Sequence, residues 1–255
     1  MRRIEYRVPV LVTVLGLSLV GSFGGLLVAS SLLLFNDNVR RRLVPGLVSY
    51  AVGTLLGVAL LALLPEALKA ISPGAVFGTL LAGILVFFIL EKLVLIHHCH
   101  TDECQVHSST AALVIIGDAF HNFIDGAIIC TAVLTSVPLG INTAIAVAAH
   151  EIPQEVGDVA ILLAAGYSRR RALILNIASG GSGIVGALVA FGAVQLVPTI
   201  RPFVLAFSSA SLLYIAMSDL IPDLHRGQVD SNALRQVILI AAGIVTIVVF
   251  ERLVG

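Results

Sequence analysis

The chain has 255 residues, 58% of them hydrophobic and 12% charged, with 15 basic and 15 acidic side chains and no net charge. An ordinary soluble domain carries about 25% charged residues, so this composition excludes one and points to an integral membrane protein. Balanced charge gives no sign of nucleic-acid binding, and the odd cysteine count (Cys99, Cys104, Cys130) argues against a disulfide framework.

Crossing a bilayer takes about 20 apolar residues in a helix. Eight stretches qualify, at 8–35, 44–64, 75–96, 109–135, 138–166, 172–197, 202–222 and 233–254. They are too long for barrel strands, and the first is too long for a signal-peptide core. The expected fold is therefore all-α, a single transmembrane domain of eight helices joined by short loops.

Spans 1 and 6 carry glycine clusters, Gly21/Gly24/Gly25 and Gly180/Gly181/Gly183. Span 2 ends in Leu64-Pro65-Glu66 and span 7 in Ile221-Pro222-Asp223. Span 3 closes on Glu91-Lys92-Leu93-Val94 and span 8 on Glu251-Arg252-Leu253-Val254. Spans 1–3 thus resemble spans 6–8 across an odd offset, so the two triplets run in opposite directions. A 3+2+3 arrangement with inverted repeats follows, and such repeats are a transporter signature.

The loops after odd-numbered spans carry Arg40, Arg41, Arg42, Lys92, Arg169, Arg170, Arg171, Arg226 and Arg235. The other side carries Arg2, Arg3, Arg7, Lys69, Arg201 and Arg252. The positive-inside rule puts the Arg triplets in the cytoplasm and both termini outside it.

Spans 4 and 5 hold the residues that lipid would reject. Helical spacing sets Asp118, His121, Asn122 and Asp125 on one stripe, and His150, Glu151, Gln154, Glu155 and Asp158 on another. Charged groups at such depth cost about 2.5–3.5 kcal/mol each on insertion scales. The stripes are expected to face each other. Imidazole with carboxylate suits zinc, iron(II), manganese or cobalt. The amides of Asn122 and Gln154 add carbonyl oxygens, and Pro153 frees the Ala149 carbonyl beside His150. Asp118 and Asp158, nearer the helix ends, read as pathway residues or as supports for the ligands. A proton relay serving another solute could use the same side chains. His150-Glu151 also begins an H-E-x-x-H metalloprotease pattern, but the fifth residue is Gln154 and a proline interrupts the helix. No enzyme is expected.

On these motifs, H-N-F-x-D-G at 121–126 and H-E-I-P-Q-E at 150–155, the chain resembles the bacterial type of the ZIP family of divalent-metal transporters. Leu64-Pro65-Glu66-Ala67 is similar too. The resemblance implies span-4 ligands at His121, Asn122 and Asp125 and span-5 ligands at Glu151 and Gln154, with His150 and Glu155 lining the site. Many members have His where this chain has Gln154, which leaves one or two bound ions open. It also implies uptake toward the cytoplasm by a homodimer, with spans 1, 4, 5 and 6 moving against 2, 3, 7 and 8. Zinc is the expected cargo, with iron, manganese, cobalt and cadmium as alternatives. Short loops point to a prokaryotic inner membrane.

The loop at 97–107 packs His97, His98, Cys99, His100, Cys104 and His107 together. Such tracts bind metal. On the cytoplasmic side thiols stay reduced, so this reads as an exit-side site that accepts or senses metal.

Overall fold

The computed structural model describes residues 2–32, 35, 37–96, 106–225 and 233–254. Among them the chain is helical, in the order α1 (Arg2–Leu32), α2 (Asp37–Gly57), a π-turn (Val58–Leu63), α3 (Leu64–Ala70), α4 (Pro73–Ile96), α5 (Val106–Thr135), α6 (Val137–Ala164), α7 (Arg169–Leu196), a 3-10 turn (Pro198–Ile200), α8 (Arg201–Tyr214), a second π-turn (Ile215–Leu220), α9 (Ile221–His225) and α10 (Ala233–Val254).

Among the described residues, seven stretches are both long and apolar enough to cross a membrane: Val8–Leu32, Arg42–Ala70, Pro73–Lys92, Val114–Thr135, Arg169–Leu196, Pro198–Leu220 and Ala233–Leu253. The sequence led us to expect eight. The remaining one, α6, has 28 residues, ample length at about 1.5 Å each. Its middle carries His150, Glu151, Gln154, Glu155 and Asp158, and these remove it from the set that apolarity alone defines. The second stretch continues past Leu64 to Ala70, with Pro65 taken up just after the junction between the π-turn and α3.

Each π-turn ends one residue short of a proline, Pro65 in one case and Pro222 in the other. α2 packs on α10 and α4 on α8, while α1 packs on α6 and α5 on α7. α5 and α6 also lie against each other, as do α1 and α7. Tyr214 donates to Glu91, and Phe87 meets Phe207 with ring centroids 5.2 Å apart, which joins α4 to α8. The main core gathers Leu55, Leu63, Ile128, Leu205, Leu212 and Ile247, and a second cluster sets Val14, Ile129, Val133 and Val147 between α1, α5 and α6.

Two local signals fix the ends of α6. Ser136 caps it, its hydroxyl accepting from Leu139 N at 3.2 Å. At the other end Gly166 takes φ +87°, Gly166 N bonds Leu163 O and Tyr167 N bonds Leu162 O, each at 3.0 Å. That is a Schellman closure, which needs a residue without a Cβ penalty. Ser168 then caps α7, its hydroxyl accepting from Arg171 N at 3.3 Å.

Candidate metal centre

α5 and α6 bring four ligand groups together at the middle of the bundle. His121, Asp125, His150 and Glu151 each offer one atom, all within 4.8 Å of one another. His121 Nε2 lies 2.9 Å from His150 Nε2. Asp125 Oδ2 is 3.4 Å from the first of these nitrogens and 3.1 Å from the second. Glu151 Oε1 is 3.9 Å from both. Asp125 and Glu151 are fully buried, and only His121 keeps some exposure.

The protons on this cluster can be assigned in part. His150 Nδ1 lies 3.0 Å from the Ala146 carbonyl, which only accepts, so that nitrogen carries the hydrogen. In the neutral ring, Nε2 is then a lone pair aimed at the other three groups. Two ring nitrogens and two carboxylates so arranged hold more lone pairs than protons. A tetrahedral ion with ligands at 2.0–2.1 Å has edges of about 3.3 Å, and the separations that involve the imidazole nitrogens, 2.9–3.9 Å, bracket that value. A small divalent cation would fit with little movement.

The other predicted residues assemble beside this quartet rather than in it. Asn122 Nδ2 donates to Asp118 Oδ1 at 3.0 Å and to the Asp118 carbonyl at 3.2 Å. Gln154 Nε2 donates to the same Oδ1 at 3.1 Å. Ser179 of α7 donates to Asp118 Oδ2, and Ser182 to the Ala119 carbonyl. Glu155 is fully buried beside Asn176 of α7. Asp158, half-buried, lies farther along the same stripe. His98, Cys99, His100 and Cys104 fall outside the described residues, as does the side chain of His107.

The profile of the family described as ZIP Zinc transporter matches residues 95–251. The chain belongs to the ZIP family. Among curated relatives it is 35% identical over 223 residues to zinc transporter ZIP13 of Pongo abelii, covering 82% of this chain and 67% of that one. To the human ZIP13 it is 32% identical over 262 residues, covering 82% and 71%. To the zinc transporter YKE4 of Saccharomyces cerevisiae it is 28% identical over 220 residues, covering 74% and 64%.

ZIP membership is membership of a transporter family, not of a hydrolase family. The side chains agree, because Gln154, the fifth residue of the protease-like pattern, turns to Asp118 instead of toward the two imidazoles.

Two contributors were missed in the sequence. Ser179 gave no signal as a partner of Asp118, since nothing in a helical stripe names the neighbouring helix. Gly25 belonged to a visible cluster, but its contact did not show. A Cβ built on Gly25 of α1 would lie 2.4 Å from Glu151 Cβ and 3.3 Å from the Glu151 carbonyl carbon. α1 therefore braces the backbone of a candidate ligand. Gly25→Ala is expected to weaken zinc binding about tenfold, equivalent to about 1.4 kcal/mol, measured by titrating the detergent-purified protein. Gly24→Ala, whose Cβ would find only Val20 Cγ1 at 3.9 Å, should leave binding unchanged.

Proposed function

We propose that this ZIP-family chain carries divalent transition metal, zinc foremost, across a membrane into the cytoplasm through the α5–α6 quartet. One observation carries the reading: two imidazole nitrogens and two buried carboxylates converge within 4.8 Å at a depth where isolated charge is costly. The relatives named as zinc transporters support zinc as cargo. Iron(II), manganese, cobalt and cadmium are further candidates, since borderline N/O sets accept them. The site residues we assign are His121, Asp125, His150 and Glu151 as ligands, with Asn122, Gln154 and Glu155 lining the route. The loop holding His98, Cys99, His100, Cys104 and His107 accepts metal on the exit side.

The mechanism is alternating access between inverted halves. Exchanging α1 with α7, α2 with α8, α4 with α10 and α5 with α6 turns α1–α6 packing into α7–α5, and α2–α10 into α8–α4. All four contacts exist. The paired π-turns ahead of Pro65 and Pro222 support the same exchange. With the Arg-rich loops in the cytoplasm, both termini lie outside it. As the family resemblance implies, two copies form the working transporter, and the short loops favour a prokaryotic inner membrane.

Reconstituted vesicles holding a zinc-sensitive dye test the reading. Zinc should enter, and purified protein should bind zinc tightly, with binding lost in His121→Ala. A proton-coupled carrier of another solute would show neither. Vesicles that admit none of zinc, iron(II), manganese or cobalt would overturn it.

A further inference from the structure

Arg169, Arg170 and Arg171 open α7, and all three side chains are exposed. Among the described residues none of them joins an ion pair. Helix stability does not ask for them, because cations in a first turn oppose the helix dipole. The Arg171 guanidinium stands 4.7 Å above the Tyr167 ring, and tyrosine favours the headgroup level of a bilayer. Directly along α7 the surface turns apolar, with Leu173, Ile174 and Ile177 exposed. At 28 residues, or about 42 Å, α7 is long enough to hold its first turn outside a hydrocarbon core of about 30 Å. Three cations at headgroup level thus border a strip suited to acyl chains. A soluble anion would use the charges and leave the strip bare.

We propose that the elbow between α6 and α7 is a docking surface for an anionic phospholipid of the adjacent leaflet, which speeds metal transport. Its phosphate meets the Arg triplet and its chains lie along α7. The inference rests on the metal-transport reading and adds a partner to it. The elbow is closed tightly by the bonds around Gly166 and by the Ser168 cap. α6 leads back from it to His150 and Glu151, and α7 leads on to Ser179, which donates to Asp118. Alternating access shifts this elbow against the bilayer, and unpaired guanidiniums resist leaving water. A headgroup that travels with them lowers that cost. The lipid touches no ligand, so it acts on rate and not on zinc affinity.

Short-chain phosphatidylglycerol, phosphatidylcholine of the same chain length and inorganic phosphate are each titrated into the purified full-length protein, with the thermal unfolding midpoint as readout. Phosphatidylglycerol alone should raise the midpoint. One cation near an anionic surface is worth about fivefold in affinity. Arg169→Gln, Arg170→Gln and Arg171→Gln together should therefore weaken the titration about a hundredfold, and Arg170→Gln alone, which serves if the triple variant aggregates, about fivefold. An equal response to phosphate would mean a free-anion site, and an equal response to phosphatidylcholine an apolar surface only. An unchanged titration in the variants would mean a triplet that only orients the chain. Each of these overturns the proposal. In pure phosphatidylcholine vesicles the parent and the triple variant should take up zinc alike. With about a quarter phosphatidylglycerol the parent should be about threefold faster or more. Surface potential draws zinc equally to both, so equal rates in the mixed vesicles would sink the idea, as would a deficit of the variant in phosphatidylcholine alone. If no vesicle admits metal, the transport reading fails, and the headgroup titration still decides whether the lipid binds.

Discussion

Asp125→Ala is expected to abolish zinc uptake into reconstituted vesicles, by a hundredfold or more, while the protein stays folded by size-exclusion chromatography. Asp125 Oδ2 is the oxygen closest to both imidazoles, at 3.1 and 3.4 Å, and the residue is fully buried. With Asp125 and Glu151 both charged, a bound divalent ion is neutralised. With Glu151 alone, one positive charge remains in a medium that solvates it poorly, a penalty of several kcal/mol. A hundredfold loss corresponds to about 3 kcal/mol, within that range. The fold should survive, because the imidazoles that Asp125 Oδ2 reaches also face each other at 2.9 Å, so His150 Nε2 keeps a partner. Glu151→Ala should behave alike, and normal uptake in both variants would show that cargo does not pass the quartet.

Gly126→Ala should unfold or loosen the bundle. A Cβ there would stand 1.8 Å from the Gly183 carbonyl oxygen. Ordinary contact begins at 3.4 Å, so α5 and α7 must part by about 1.6 Å (3.4 − 1.8). The obstacle is main chain, which cannot rotate aside. A Cβ on Gly186 would likewise stand 1.8 Å from the Phe123 carbonyl oxygen, so the seam is tight over most of a helical turn. Within the bilayer, helix association relies on such close backbone packing. Parting the helices would also pull Ser179 from Asp118 and Ser182 from Ala119. We expect a loss of about 3 kcal/mol, the upper end for overpacking, read as a lower midpoint of thermal unfolding in detergent. Gly117→Ala, on the same helix with nothing within 4 Å, should leave the midpoint unchanged or raised.

The sequence made the helices legible because apolar runs of spanning length have few other fates. It made the polar stripes of α5 and α6 legible because charge in that setting stands out. It did not show how the stripes divide. Asn122 sits beside His121 in the chain, yet its amide bonds Asp118 while His121 turns to His150. That partition depends on rotamers and on Ser179 arriving from α7, which helical spacing cannot reveal. The π-turns were hidden for a similar reason. Val58–Leu63 and Ile215–Leu220 read as ordinary apolar helix, and a widened turn leaves no compositional trace. The glycines were visible as small residues. Which of them touch a neighbouring backbone was not, since that depends on which helices meet.

The polar middle of α6 also bears on how the protein is made. A nascent segment leaves the insertion machinery for lipid according to its apolarity, and among the described residues α6 is the one long helix that falls short on that count. A single residue, Ser136, separates it from α5. The newly synthesised chain is therefore best served by delivering α5 and α6 as one hairpin, each hiding the other's ligands from the acyl chains. The cargo site would then form during biogenesis, before α7 to α10 have been translated.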